Sequence, residues 1–130
     1  MGNRAQVKLI LEAATTLETA DVVYFYTHYY AEAIPQALQN ALREGAKRWD
    51  DSVYLSRVVF SHILLLIASA GSSAEQVLHD PSGLGISSKP IDGNEVVVDV
   101  VNKNICFPTG EVYSFQEYLR LTSTPELMGW

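Results

Sequence analysis

Between Val22 and Ala70 the chain switches from strand periodicity to helical periodicity, and this switch limits the fold more than any other feature. Val22 to Tyr30 is rich in β-branched and aromatic residues, which suit a pleated surface. From Ala33 to Arg43, Ile34, Ala37, Leu38, Ala41 and Leu42 fall at helical spacing, with Pro35 suited to a first turn and Gly45 to the position after the last. A second helix is predicted from roughly Ser52 to Ala70. Asp50 or Asp51 can offer a side-chain oxygen to the free N–H groups at its start, and Gly71 can end it. Its second half, Val58 to Ala70, is apolar enough to be expected as the most buried helical surface. It is not read as a membrane span: that needs about 20 apolar residues, and this shorter run contains Ser61 and His62. A buried helix or an oligomer interface fits better.

The flanks are predicted to be β-rich. Val7 to Leu11 reads as a strand, and Thr15 to Asp21 as a polar connector. Gly71 to Ser88 carries turn chemistry at Gly71-Ser72-Ser73 and Asp80-Pro81-Ser82-Gly83, with a short strand expected at Leu84 to Ser88. Asp92-Gly93-Asn94 leads into Glu95 to Val101, the clearest strand. A turn at Asn102 to Asn104 and a strand at Ile105 to Phe107 complete a meander. Ser114-Phe115-Gln116-Glu117 has capping-box form, so a short helix is predicted over Phe115 to Leu121, with Thr122 to Trp130 a tail. At 130 residues and 48% hydrophobic, the chain fits one domain able to bury a core. The expected class is α+β: an antiparallel sheet of about five strands, two consecutive helices on one face and a short C-terminal helix.

Charge and cysteine content narrow the chemistry. A net charge of −6, with nine scattered Lys and Arg residues, argues against long nucleic acid as a partner. A small anion needs only two or three local cations. Cys106 is the only cysteine, so no intramolecular disulfide or cysteine-rich zinc site forms, and its apolar neighbours Ile105 and Phe107 suit core packing. His28, His62 and His79 lie far apart and make no ligand-spaced pair, so no metal is expected. Gly83-Leu84-Gly85-Ile86 lacks the third glycine of a dinucleotide fingerprint, and no cofactor is expected, although this backbone can close over a ligand. Met1-Gly2-Asn3-Arg4 lacks the apolar run of a signal peptide, and a cytoplasmic, non-membrane location is expected.

The candidate site lies between Tyr24 and Phe60. Alternation puts Val23, Phe25, Thr27 and Tyr29 on one face of their strand and Tyr24, Tyr26, His28 and Tyr30 on the other. Rings with polar tips can stack a base and bond its edge, so the second face is the candidate; tyrosines covering a half-exposed sheet are the alternative. Arg48, Asp50, Tyr54 and Arg57 complete the ligand-binding set. Arg57 lies three positions after Tyr54 and shares its helical face. Paired with Asp50 it would be structural; unpaired, its planar fork matches phosphate oxygens.

The pattern Tyr-x-His-aromatic, then a short helix, then Arg-Trp-Asp-Asp-x-x-Tyr-Leu-x-Arg-x-x-Phe, here Tyr26 to Phe60, resembles a group of small proteins encoded by phages and prophages. Gly83-Leu84-Gly85-Ile86 and Val98-Asp99 are similar to later segments of that group, and the chain departs from it at Tyr29, where tryptophan is expected. The resemblance covers roughly half the chain and implies a phage setting rather than a reaction. In that setting, small acidic proteins with polar-aromatic pockets include sponges for the nucleotide signals of bacterial immunity, such as cyclic ADP-ribose isomers and cyclic oligonucleotides. The leading expectation is therefore a non-enzymatic, homo-oligomeric sponge. The rivals are an enzyme acting on such a nucleotide, with His28 as acid or base and Arg57 stabilising phosphate charge, and a protein-binding inhibitor.

Overall fold

A computed structural model describes residues 4–12, 21–27, 31–69, 84–90 and 93–122. In chain order these form strands β1 (Ala5–Glu12) and β2 (Asp21–Thr27), helices α1 (Ile34–Glu44) and α2 (Ser52–Ser69), strands β3 (Gly85–Ser87), β4 (Asn94–Asp99), β5 (Asn104–Cys106) and β6 (Val112–Ser114), and helix α3 (Phe115–Leu119). Single 3-10 turns at Ala31–Ala33 and Ala46–Arg48 precede α1 and α2. The α+β class and the two consecutive helices are as expected.

The sheet differs from the expectation. It has six strands in the order β3-β2-β1-β4-β5-β6, and its central pair, β1 with β4, is parallel. The other neighbours are antiparallel, so the sheet is mixed. The extra strand, β6, is three residues long, too short for alternation to register. The parallel pair joins segments far apart in sequence, and parallel neighbours need such a long connection. Close approach of the two backbones at its start requires Gly93: at φ 120° its position has no room for a Cβ, which would fall 2.8 Å from the Arg4 carbonyl.

Register sorts the side chains. Val7 stands opposite Phe25 and Val96, and Leu9 opposite Val23 and Val98. These residues face the helices and, with Ala5 and Ile105, form the sheet's half of the core. From α1 come Ile34, Leu38, Ala41 and Leu42, and from α2 come Leu55, Val58, Val59 and Ile63. Each fully buried Leu, Ile or Val contributes roughly 1.5–3 kcal/mol of transfer free energy, so this face dominates stability. The stretch from Leu64 to Leu66 in the second half of α2 is less buried than expected: Ile63 is inside, but Leu65 is 58% exposed and Leu64 and Leu66 are only partly covered. Hydrophobic content along a helix does not state how many sides have neighbours.

Local chemistry sets the helix ends. Asp51, not Asp50, caps α2, its Oδ1 accepting the Tyr54 N–H at 3.0 Å. Gly45 closes α1 with φ −87°, so left-handed backbone is not its reason; a Cβ there would lie 2.9 Å from Leu55 Cδ1. The predicted capping box is present: Ser114 Oγ accepts the Glu117 N–H at 3.1 Å and Glu117 Oε1 accepts the Ser114 N–H at 2.9 Å.

Candidate functional site

Along α2, Val53, Ser56, Arg57, Phe60 and Ser61 recur at intervals of three and four and make one stripe beside the sheet edge. Opposite them stand Leu11 of β1, Val23 and Phe25 of β2, and Ile86 of the short outer strand β3. Between stripe and strands runs an open groove of about 430 Å³, within the size range of small-molecule sites. Its floor is aromatic, the Phe25 and Phe60 rings lying 4.9 Å apart and tilted by 58°. Val53 and Ile86 stand on its rim, 77% and 62% exposed.

Arg57 is the one charged residue among the described residues lining the groove. Its Nη1 donates a long hydrogen bond to Ser61 Oγ, 3.4 Å, and among the described residues no carboxylate pairs with it. Its guanidinium carbon lies 5.2 Å from the centroid of the Tyr54 ring, and that of Arg48 lies 3.9 Å from the same centroid. Arg48 also bonds Asp51 Oδ2 at 2.7 Å. The Tyr54 N–H first, and Arg48 second, hold the Asp51 carboxyl below its ordinary range.

Of the predicted site residues, Arg48, Tyr54 and Arg57 are therefore brought together. Asp50 is not among them: it turns to Lys103 Nζ at 2.7 Å and is largely exposed, which removes it as the partner of Arg57. Tyr24 and Tyr26 are in the wrong place for this groove. They alternate with Val23 and Phe25, so they emerge on the sheet face away from α2, where Tyr24 is buried at 5% exposure and offers no open ring face. The predicted groove between this strand and the second helix exists, but the strand's other residues line it. Helices cover the more apolar face of a strand, and Val23 and Phe25 mark that face; polar tips drew the prediction to the opposite one. His28 and Tyr30 lie outside the described residues. Sequence reasoning missed Phe25, Val53, Ser56 and Ser61, although the three-and-four spacing around Arg57 was visible.

A second depression, about 260 Å³, is lined by Trp49, Lys103, Ser114 and Phe115 among others. The polar groups of Trp49, Lys103 and Ser114 already serve the fold. Lys103 pairs with Asp50, the Trp49 indole N–H donates to the Leu42 carbonyl at 2.9 Å, and Ser114 caps α3. His62, on α2, meets Glu44 of α1 through Nε2 at 2.8 Å and does not line the groove. Among the described residues no group of His, Cys, Asp and Glu is disposed to hold a metal ion, and no helix is long and apolar enough to cross a membrane.

Compared with known proteins, the chain matches no family model, no curated protein and no solved structure.

Proposed function

We propose that this chain is a non-enzymatic binding protein for a small anionic ligand with a flat, apolar body, and that the ligand class is a nucleotide-derived signal. The observation that carries the reading is a guanidinium without a carboxylate partner among the described residues, set on the wall of an otherwise apolar groove. A ring seated against Phe25 and Phe60 removes apolar surface from water, and the charge beside it meets a planar fork suited to phosphate. The described lining contains no carboxylate or imidazole to move a proton, which favours binding over turnover. Sequestration of a bacterial immune signal, in the cytoplasm of an infected cell, follows from the phage resemblance of Tyr26 to Phe60. The partly uncovered apolar surface of α2 around Leu65 suits assembly into a homo-oligomer.

Incubation with cyclic ADP-ribose isomers and cyclic oligonucleotides, removal of free ligand, heat denaturation and mass analysis of what is released test the reading. Intact nucleotide is the expected result. An altered nucleotide makes the chain an enzyme, and no retained nucleotide favours a protein partner on the exposed Val53 and Ile86. Arg57→Ala is expected to weaken retention on the order of 10- to 150-fold, the loss of a charge-assisted contact of roughly 1.5–3 kcal/mol, while leaving the fold intact.

A further inference from the structure

The anion end of the groove does not stop at Arg57. One turn back along α2, Tyr54 extends the positive surface to Arg48, which sits at the end of the 3-10 turn before the helix. Resting on the ligand reading above, we infer that this end is built for two linked phosphates, one on Arg57 and one on Arg48, with the Tyr54 ring as the platform that holds both cations.

Each guanidinium lies within cation–π range of the Tyr54 ring, and that attraction offsets part of the repulsion between the two like charges. The local charge count is unbalanced. Among the described residues Asp51 is the one carboxylate bonded to the pair, and it engages Arg48 through a single nitrogen, Nη2. A guanidinium has five N–H donors, so Arg48 keeps most of its hydrogen-bonding capacity while bracing the cap. Both side chains reach solvent. The cluster therefore carries a net positive charge beside the first turn of an 18-residue helix, the end at which backbone N–H groups already favour anions. A monophosphate satisfies Arg57 alone. A pyrophosphate spans both arginines and competes with Asp51 for Arg48, which makes Asp51 an internal stand-in for the second phosphate.

Calorimetric titration of the full chain with AMP and with ADP separates these cases. The expected result is ADP tighter than AMP by about tenfold, with Arg48→Ala removing that advantage by weakening ADP alone. Arg57→Ala is expected to weaken both nucleotides. Asp51→Asn keeps an oxygen for the Tyr54 N–H but removes the competing charge, and is expected to strengthen ADP and leave AMP unchanged. Equal affinities for AMP and ADP, or an ADP advantage that survives Arg48→Ala in a variant that melts normally, overturn the two-phosphate inference while the ligand reading stands. Absence of ADP binding by a chain that retains cyclic nucleotides also overturns the two-phosphate inference, and a chain that retains neither overturns the ligand reading with it.

Discussion

At the residue scale, Asp51 joins stability to the binding surface. Its pKa is lowered from an ordinary 3.8 by the Tyr54 N–H and by Arg48, and that of Glu117 from 4.5 by the Ser114 N–H and hydroxyl. A carboxyl whose folded pKa is depressed contributes stability that is full above its unfolded value and is lost as pH falls through the folded one. Thermal melting followed against pH is therefore expected to be insensitive to these two groups above the ordinary carboxylate range and to fall below it. Asp51→Asn should flatten part of that acid fall, and an unchanged profile would remove Asp51 from the account. Gly45 makes a different prediction. An added methyl meets the fully buried Leu55, so Gly45→Ala should destabilise by about 1–3 kcal/mol in chemical denaturation, as overpacking does. A gain in stability, the usual outcome where a glycine has room for a methyl, would contradict it. Sequence could pair Asp50 or Asp51 equally well with the start of α2. Only the position of Lys103, brought close by the β4–β5 turn, separates their roles.

At the scale of elements, polar contacts tie α3 to α1 beside the core packing of Phe115 and Tyr118. Gln39, 4% exposed, donates from Nε2 to the carbonyls of Tyr118 at 2.9 Å and Leu121 at 3.0 Å, and the Tyr118 hydroxyl donates to the Pro35 carbonyl. Burial pushes the Tyr118 phenol above its ordinary range, so it stays a donor at any physiological pH. Gln39→Leu keeps much of the volume but strands two carbonyls, and should cost about 1–3 kcal/mol; Tyr118→Phe should cost less. A double variant additive in denaturant melts would show the two contacts to be independent rather than one latch. Helix starts were legible because their signals are local: Pro35 in a first turn, an aspartate before Ser52, Ser114 three residues before Glu117. The sidedness of α2 was not legible, since Leu64, Leu65 and Leu66 are equally apolar and only their neighbours distinguish them.

At the scale of the whole molecule, the sheet centre depends on β1 meeting β4 across β2, α1, α2 and β3 among the described elements. Strands were visible from composition, but neighbours were not, because pairing between distant segments leaves no periodic trace. The same partition made Arg57 legible beside Tyr54 on one helix turn and hid the strand side of the groove. Hydrogen exchange should find the slowest amides in β1 and β4, around Val7, Leu9, Val96 and Val98, all at 0% exposure, with β3 and β6 exchanging early. Slow exchange confined to the β5–β6 hairpin would place the stable centre elsewhere.

The alternation of β2 has a consequence for engineering. Its seven residues serve two separate surfaces, Val23 and Phe25 the groove and Tyr24 and Tyr26 the far side of the sheet. A library varied at positions 23 and 25 would retune the groove together with the core behind it, since Phe25 is buried, whereas one at 24 and 26 would act on the opposite face of the same backbone. Selections for the two traits can therefore be run separately and their winners combined in a single strand.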